Sequence, residues 1–142
     1  VNVALGTDGN ASNNDLDMLG EMRTAALLAK AVAQDASVVS AHQVLRMATI
    51  NGAKALGLEQ HIGSIEIGKS ADLITINLGG LESQPMYDPI SHLVYCTTRD
   101  QVTHVWVAGQ ALLEERKLCT LNEAELINSA QHWQSLIGET AG

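Results

Sequence analysis

The chain has 142 residues, of which 46% are hydrophobic and 17% charged, a mixture that is typical of a globular domain and excludes wholesale disorder. Sixteen acidic residues against eight basic residues give a formal net charge of -8, which disfavours nucleic acid and anionic membrane surfaces as partners. The two cysteines, Cys96 and Cys119, are too few for a disulfide scaffold and predict a reducing, cytoplasmic location, and no apolar run approaches the roughly 20 residues of a membrane helix.

The chain opens on an apolar run that ends at an aspartate flanked by glycines. Residues 1–7 predict a buried parallel strand, and residues 8–15 predict a polar loop. Such a strand delivers Asp8 to the carboxyl edge of a sheet, where barrels and open α/β enzymes keep their chemistry. Because the run starts at residue 1, the chain begins inside a structural element, and we expect it to be the tail of a larger enzyme.

Two Ala-rich helices are predicted next. The first runs from about residue 15 to 34, with Asp15 or Asp17 as the residue that caps its N-terminus. The second begins at Ser40, whose spacing from Gln43 is that of a capping box, and ends near Gly57. The small side chains of both helices indicate close packing against a neighbouring element.

From residue 63 the hydrophobic period changes from that of helices to that of strands. Residues 65–67 alternate, residues 73–76 predict a mostly buried strand, and residues 93–95 predict a further short strand. Residues 102–107 and 111–113 predict a hairpin. Asn122, with Glu125 three residues later, predicts the cap of a final helix, whose apolar stripe could cover the sheet or meet a second subunit.

The order of these elements predicts two structural regions with a boundary near residues 57–63. We therefore divide the chain into residues 1–57, residues 58–121 and a C-terminal helix at residues 122–142. Near the start of the second region, Asp72 is expected to fix a turn or a contact between regions, and Lys69 is expected to be solvated.

Asp8 is the strongest candidate for chemistry in this chain. A carboxylate at a strand's end can bind a divalent ion with one oxygen, while the other oxygen takes a proton from a water on the metal. Asp-Gly is also a common turn pair, so an ordinary turn residue remains the alternative from the residues alone. Ser12, Asn13 and Asn14 could shape a pocket floor, although such residues in a loop before a helix need no function.

Four motifs follow one another along the chain. They are Gly-Thr-Asp-Gly at residues 6–9 with Ser-Asn-Asn-Asp-Leu-Asp-Met at residues 12–18, then residues 46–58, 63–73 and 102–109. Together they resemble the amidohydrolase superfamily, and most closely its 5-methylthioadenosine/S-adenosylhomocysteine deaminases and their chlorohydrolase and guanine deaminase relatives. In that family, the motifs look like the last barrel strand and its loop, the helix that leaves the barrel, the re-entry into a small β-sandwich, and a later hairpin of that sandwich.

The resemblance implies an α/β fold, namely the C-terminal fragment of a metal-dependent (β/α)8 barrel in residues 1–57 plus part of the flanking β-sandwich in residues 58–121. It also implies hydrolytic deamination of a purine nucleoside-type substrate, for which a divalent metal, usually zinc, supplies hydroxide near neutral pH. Asp8 matches the family's aspartate that binds the metal and shuttles the proton. No other residue here inherits a catalytic or metal-binding role.

The histidines depart from the family's pattern. The family's metal site also uses a His-x-His pair and further histidines on middle strands. No two of the five histidines in this chain have that spacing: His42, His61, His92, His104 and His132. Surface or packing roles are expected for them. Since zinc takes three or four protein ligands, we expect this chain by itself to hold no catalytic metal and to be inactive.

Several alternatives stay open. The chain could be a non-catalytic interaction module or a truncated domain, and the intact enzyme could be a chlorohydrolase or a guanine deaminase. A lone barrel strand leaves backbone groups unpaired, so residues 1–7 are expected to pair across a subunit interface or to be covered by the two helices. A homo-oligomer is therefore expected, and Cys96 is expected to serve packing within an apolar stretch.

Overall fold

The computed structural model describes residues 1–140, with the side chains of residues 1–138. Its helices and strands are α1 Met18–Ala33, α2 Ala41–Met47, α3 Ile50–Ala55, β1 Leu73–Ile76, α4 Pro89–Tyr95, β2 Val102–Val107, β3 Gln110–Glu114, β4 Lys117–Leu118 and α5 Glu123–Thr140. The four strands form one antiparallel sheet in the order β1-β2-β3-β4. In the part of the chain that is described, no helix combines the length and the apolar character needed to cross a membrane.

Helix α1 confirms the first predicted helix and its cap. The carboxylate of Asp17 accepts hydrogen bonds from the backbone N–H groups of Leu19 at 3.0 Å and Gly20 at 3.1 Å, which otherwise lack partners at a helix start. The helix ends at Gln34, which adopts the left-handed conformation with φ 51°. Asp17, rather than Asp15, therefore sets the first residue of the helix.

The second predicted helix is divided into two. Ser40 and Gln43 form the expected capping box at the start of α2, and Gly57 takes a positive φ of 70° after α3. The break falls at Thr49, which has φ -129° and ψ -101°. Its hydroxyl donates to the carbonyl of Leu45 at 2.7 Å. Because a threonine hydroxyl can compete in this way for a backbone carbonyl, the helical ladder is interrupted there.

The core lies where α1, α2 and α4 meet. Its buried members are all aliphatic or sulfur-containing: Leu19, Met22, Ala26, Ala41, Val44 and Val94. Ala26 and Ala41 are the small residues among them, as the Ala-rich sequence of α1 and α2 leads one to expect. The sheet contributes to this cluster only through partly buried residues such as Ile76 and Val102.

The predicted strand at residues 93–95 is wrong, because these residues belong to helix α4. Asp88 caps this helix by accepting a hydrogen bond from the N–H of Ile90 at 3.1 Å, and Pro89 occupies its first turn, where a missing N–H costs nothing. Val94 is 0% exposed and anchors the helix in the core. A seven-residue helix is too short to show a clear apolar period in the sequence.

The predicted hairpin is confirmed. Val107 pairs with Gln110, and the turn between them uses positive φ angles at Ala108 (49°) and Gly109 (80°), as two-residue hairpin turns require. Asp72 fixes this turn, since its Oδ1 accepts a hydrogen bond from the N–H of Ala108 at 2.7 Å. The two-residue strand β4 was not predicted.

Several other expectations fail in the second half of the chain. The alternating residues 65–67 form no strand, since residues 65 and 66 are irregular and residue 67 begins a turn, and β1 is only half-buried. Lys69 is not solvated, because its side chain is 11% exposed and its Nζ donates to Ser64 Oγ at 2.5 Å. Cys96 is exposed instead of packed. In α5, capped by Asn122 as predicted, Trp133 remains 59% exposed, so the stripe is not buried against the sheet at that position.

Residues 1–7 do not form the predicted buried strand. No described strand lies beside them, and Val1 and Val3 are exposed. They lie against α2 and α3 instead. The N–H of Leu5 donates to the carbonyl of Met47 at 3.0 Å, and Asn51 Nδ2 donates to the carbonyl of Val3 at 2.9 Å. A parallel strand needs a neighbouring strand for its backbone groups, and the described residues offer this segment bonds from α2, α3 and the following loop instead.

Candidate active site

Asp8 follows the segment that lies on α2 and α3, and its backbone is in the left-handed region with φ 60°. Few non-glycine residues adopt this conformation, and aspartate does so more readily than most because its short side chain can hydrogen-bond locally. Such strained residues cluster at functional sites, where the conformation aims a side chain. The Asp8 side chain is exposed to solvent.

Both oxygens of the Asp8 carboxylate accept a hydrogen bond. Oδ1 accepts from the backbone N–H of Gly9 at 2.7 Å, and Oδ2 accepts from the hydroxyl of Ser12 at 2.6 Å. The Ser12 hydroxyl, and after it the Gly9 amide, lower the pKa of Asp8 below its ordinary value of 3.8. Asp8 is therefore an ionised, oriented carboxylate at neutral pH.

The loop after Asp8 is organised by Asn13. Its Nδ2 donates to the carbonyl of Thr7 at 2.9 Å and to Glu21 Oε1 at 3.2 Å, and its Oδ1 accepts from the N–H of Asp15 at 3.2 Å. These bonds join the residue before Asp8, the end of the loop and helix α1. Sequence reasoning gave Ser12, Asn13 and Asn14 either a place on a pocket floor or no function, and it missed the partners of Asn13. Only the spacing of Asn13 from Asp15, typical of an Asx turn, could have indicated one of these bonds.

A second connection leads from the loop to the region of the sheet. The carboxylate of Asp15 pairs with the guanidinium of Arg99, in the 3-10 turn that precedes β2. Both side chains are more than half exposed, at 58% and 60%, so the pair adds little stability by itself. It nevertheless gives the loop a contact outside the first region.

The histidines are dispersed over the structure. His42 lies in the first turn of α2, His61 in a turn, His92 in α4, His104 in β2 and His132 in α5. His104 stacks on Trp106 with ring centroids 5.4 Å apart, and its Nδ1 lies 3.1 Å from Thr75 Oγ1. Within the described residues, no group of three or more histidine, cysteine, aspartate or glutamate side chains could hold a metal ion. Asp8 fits a metal as one donor, and the described part of the chain does not supply the remainder of a zinc site.

An apolar groove of about 570 Å³ lies beside the core. Its lining includes Leu16 and Leu45 from the first region and Ile76, Leu93 and Val102 from the second. Asp8 is not among the residues that line it. The groove is therefore a separate feature from the Asp8 loop.

Solved structures place this fold and loop in a known class of enzymes. An adenosine deaminase from Xanthomonas campestris with bound zinc matches 98% of the chain with a TM-score of 0.94 and 52% sequence identity. An atrazine chlorohydrolase from Arthrobacter aurescens TC1 complexed with zinc matches 93% of the chain with a TM-score of 0.85 and 30% identity. Residues 1–112 match the sequence model of the amidohydrolase family, and the chain belongs to that family.

Curated relatives agree with this assignment. A 5-methylthioadenosine/S-adenosylhomocysteine deaminase from Teredinibacter turnerae is 51% identical over 97% of the chain, and a 5'-deoxyadenosine deaminase from Methanococcoides burtonii is 46% identical over 92%. The chain spans 31% and 30% of the length of these two relatives, and 32% and 29% of the two solved chains. It thus corresponds to about a third of the proteins that it matches.

Proposed function

We propose that this chain forms the C-terminal part of a metal-dependent amidohydrolase that hydrolytically deaminates an adenosine-type nucleoside. Curated relatives at 44% to 51% identity are named for 5-methylthioadenosine, S-adenosylhomocysteine or 5'-deoxyadenosine. Their named substrates share an adenine ring whose amino group leaves as ammonia. In this proposal residues 1–57 belong to the barrel, residues 58–121 to the β-sandwich, and residues 122–142 form the C-terminal helix.

The main structural support for the proposal is the exposure and hydrogen bonding of the Asp8 carboxylate. Its carboxylate is exposed, ionised and held from two sides by Gly9 and Ser12, on a backbone conformation that needs support. In the proposed enzyme one Asp8 oxygen is a metal ligand. The other oxygen takes a proton from the attacking water and delivers it to the leaving amino group, so that ammonia departs and a carbonyl replaces it on the ring.

A divalent ion, zinc in the two matching enzyme structures, would act in the intact enzyme as a Lewis acid that makes water more acidic. Asp8 supplies one ligand of the three or four that such an ion takes from protein. The remaining ligands and the general acid must therefore come from residues outside the described part of this chain. We propose accordingly that the chain alone is inactive and that its partner is the rest of an amidohydrolase barrel.

A chimeric enzyme tests the proposal. The segment of the Teredinibacter turnerae deaminase that matches this chain is replaced by this chain, and zinc content and ammonia release from 5'-methylthioadenosine and S-adenosylhomocysteine are measured. We expect activity, and a loss of about a hundredfold or more in kcat for Asp8→Asn, since a positioned acid–base group contributes about 10²–10⁴. Asp35→Asn is the matched control, because Asp35 is an exposed carboxylate that accepts the same two types of bond, both from Ser37.

The alternatives give distinct outcomes in the same assay. Chloride release from atrazine, or ammonia release from guanine, without activity on adenosine-type nucleosides would reassign the substrate; the structural match to the chlorohydrolase makes the triazine arm worth including. A folded, zinc-loaded chimera that turns over none of these would refute the proposal in favour of a non-catalytic module. Full activity of Asp8→Asn would refute the role of Asp8.

A further inference from the structure

We propose that Asn13 is a positioning residue for Asp8, acting through the peptide plane between Thr7 and Asp8. The proposal rests on the proposed function for its kinetic consequence only. Its structural basis is the hydrogen bond from Asn13 Nδ2 to the carbonyl of Thr7, 2.9 Å long, immediately before the residue that bears the carboxylate. Nothing in the sequence pattern joins these two positions.

The Thr7 carbonyl is decisive because of backbone geometry. The φ angle of Asp8 is the rotation between the Thr7–Asp8 peptide plane and the rest of Asp8, and peptide planes are rigid. A bond that fixes the Thr7 carbonyl therefore fixes one side of this rotation. The observed φ of 60° is costly for most residues other than glycine and less so for aspartate, so a bond that fixes the Thr7 carbonyl favours this φ over the extended and helical regions.

Asparagine is the side chain that suits this place. Its Nδ2 faces two acceptors, the Thr7 carbonyl and Glu21 Oε1, while its Oδ1 faces a donor, the N–H of Asp15. An aspartate of the same shape would bring oxygen against both acceptors, and alanine would remove all three bonds. Asn13 is also partly buried, so its bonds compete less with water than those of the exposed loop residues around it.

The three bonds give Asn13 a fixed support. Glu21 lies in the first turn of α1, and that helix is anchored in the core by Leu19 and Met22. Asn13 thus holds the Thr7 carbonyl directly, and Glu21 on α1 gives its amide a second, supporting acceptor. Ser12, by contrast, contacts the Asp8 carboxylate directly and sets the side chain rather than the backbone.

Variants of the 142-residue chain test the structural step. Crystal structures and amide hydrogen exchange are compared for the parent chain, Asn13→Ala, Asn13→Asp and Glu21→Ala. We expect Asp8 to leave the left-handed region in both Asn13 variants, with faster exchange at the Gly9 amide. Glu21→Ala keeps the bond to Thr7, so Asp8 should keep its φ. An Asn13→Ala chain with Asp8 still near φ 60° would overturn the inference.

The chimeric enzyme tests the kinetic step. We expect kcat to fall by up to about fivefold in Asn13→Ala, since aspartate loses less than most residues in the left-handed region and only the fraction with a correctly aimed Asp8 reacts, with KM changed less than twofold. Asn128→Ala in α5 is the control of the same residue type and should leave both constants unchanged. A fall in kcat for Glu21→Ala equal to that for Asn13→Ala would contradict action through Thr7. An inactive parent chimera would refute the proposed function, while the structural step would still decide the inference.

Discussion

Val94 provides a direct test of the core and of the helical assignment of residues 89–95. The side chain is 0% exposed and belongs to the cluster at the meeting point of α1, α2 and α4. Val94→Ala removes two carbon groups from this position. At about 0.8 kcal/mol for each buried methylene-sized group, the lost transfer free energy is about 1.6 kcal/mol.

The cavity left behind adds to this loss, because surrounding helices relax only in part. The total expected decrease in the free energy of unfolding is about 2–3 kcal/mol. That is a large share of the roughly 5–15 kcal/mol that stabilises a typical domain. With a urea m-value of about 1–3 kcal/mol per M, the midpoint of urea unfolding should fall by about 1 M or more.

The assay is equilibrium unfolding in urea followed by far-UV circular dichroism, with Val107→Ala as the control. Val107 is also a valine in a regular element, but it is 48% exposed at the end of β2. Its replacement should change the free energy of unfolding by no more than about 0.5 kcal/mol. If the two variants lose equal stability, the core does not lie at Val94 and the packing of α4 described above is wrong.

Three further perturbations follow from local geometry. Asp17→Ala should lower the free energy of unfolding by about 1 kcal/mol in urea titrations, because two N–H groups of α1 lose their acceptor, and no loss would refute the cap. Gly63→Ala should lower the thermal midpoint, since a Cβ there would lie 2.7 Å from the Cβ of Ala53 on a backbone with φ 90°, whereas Gly68→Ala has the strained φ without the clash and should cost less. For Asp88, bonds from the Ser91 hydroxyl and then the Ile90 amide lower the pKa below 3.8, so its contribution to stability is present above that value and is lost as the pH falls through the lower folded pKa. Urea midpoints of the parent and Asp88→Asn should therefore differ at pH 7 and converge in acid, and a constant difference would contradict this linkage.

Local chemistry made some elements predictable from the sequence. The capping pattern around Ser40 and the turn at Gly109 each depend on a few neighbouring residues, and both occur as predicted. The break at Thr49 and the helix at residues 89–95 were not predicted. Thr49 can bond back to a carbonyl or point to solvent, and the choice depends on the neighbouring elements. The short apolar run that contains Val94 is compatible with a strand or a helix, and only the packing of α1 and α2 beside it distinguishes the two.

The candidate site also contains both predictable and unpredictable residues. Asp8 is identifiable because an apolar run, a Gly-flanked carboxylate and a polar loop occur together in the sequence. The role proposed for Asn13 was not accessible, since its bonds to Thr7 and Glu21 exist only after the loop has closed on α1. The failed strand at residues 1–7 has a related cause. Its apolar pattern suits a parallel sheet, but a strand exists only where another strand pairs with it.

The hydrogen bonds around Asp8 are compatible with both tasks proposed for its carboxylate. Each ionised carboxylate oxygen has about two acceptor sites, and Gly9 and Ser12 occupy one on each oxygen. One site therefore remains on each, enough for a cation on one oxygen and a proton in transit on the other. Donors that filled both sites of either oxygen would hold the carboxylate more firmly but would remove one of the two tasks. The loop thus holds Asp8 in a left-handed backbone conformation and orients its carboxylate, while one lone pair on each oxygen stays available.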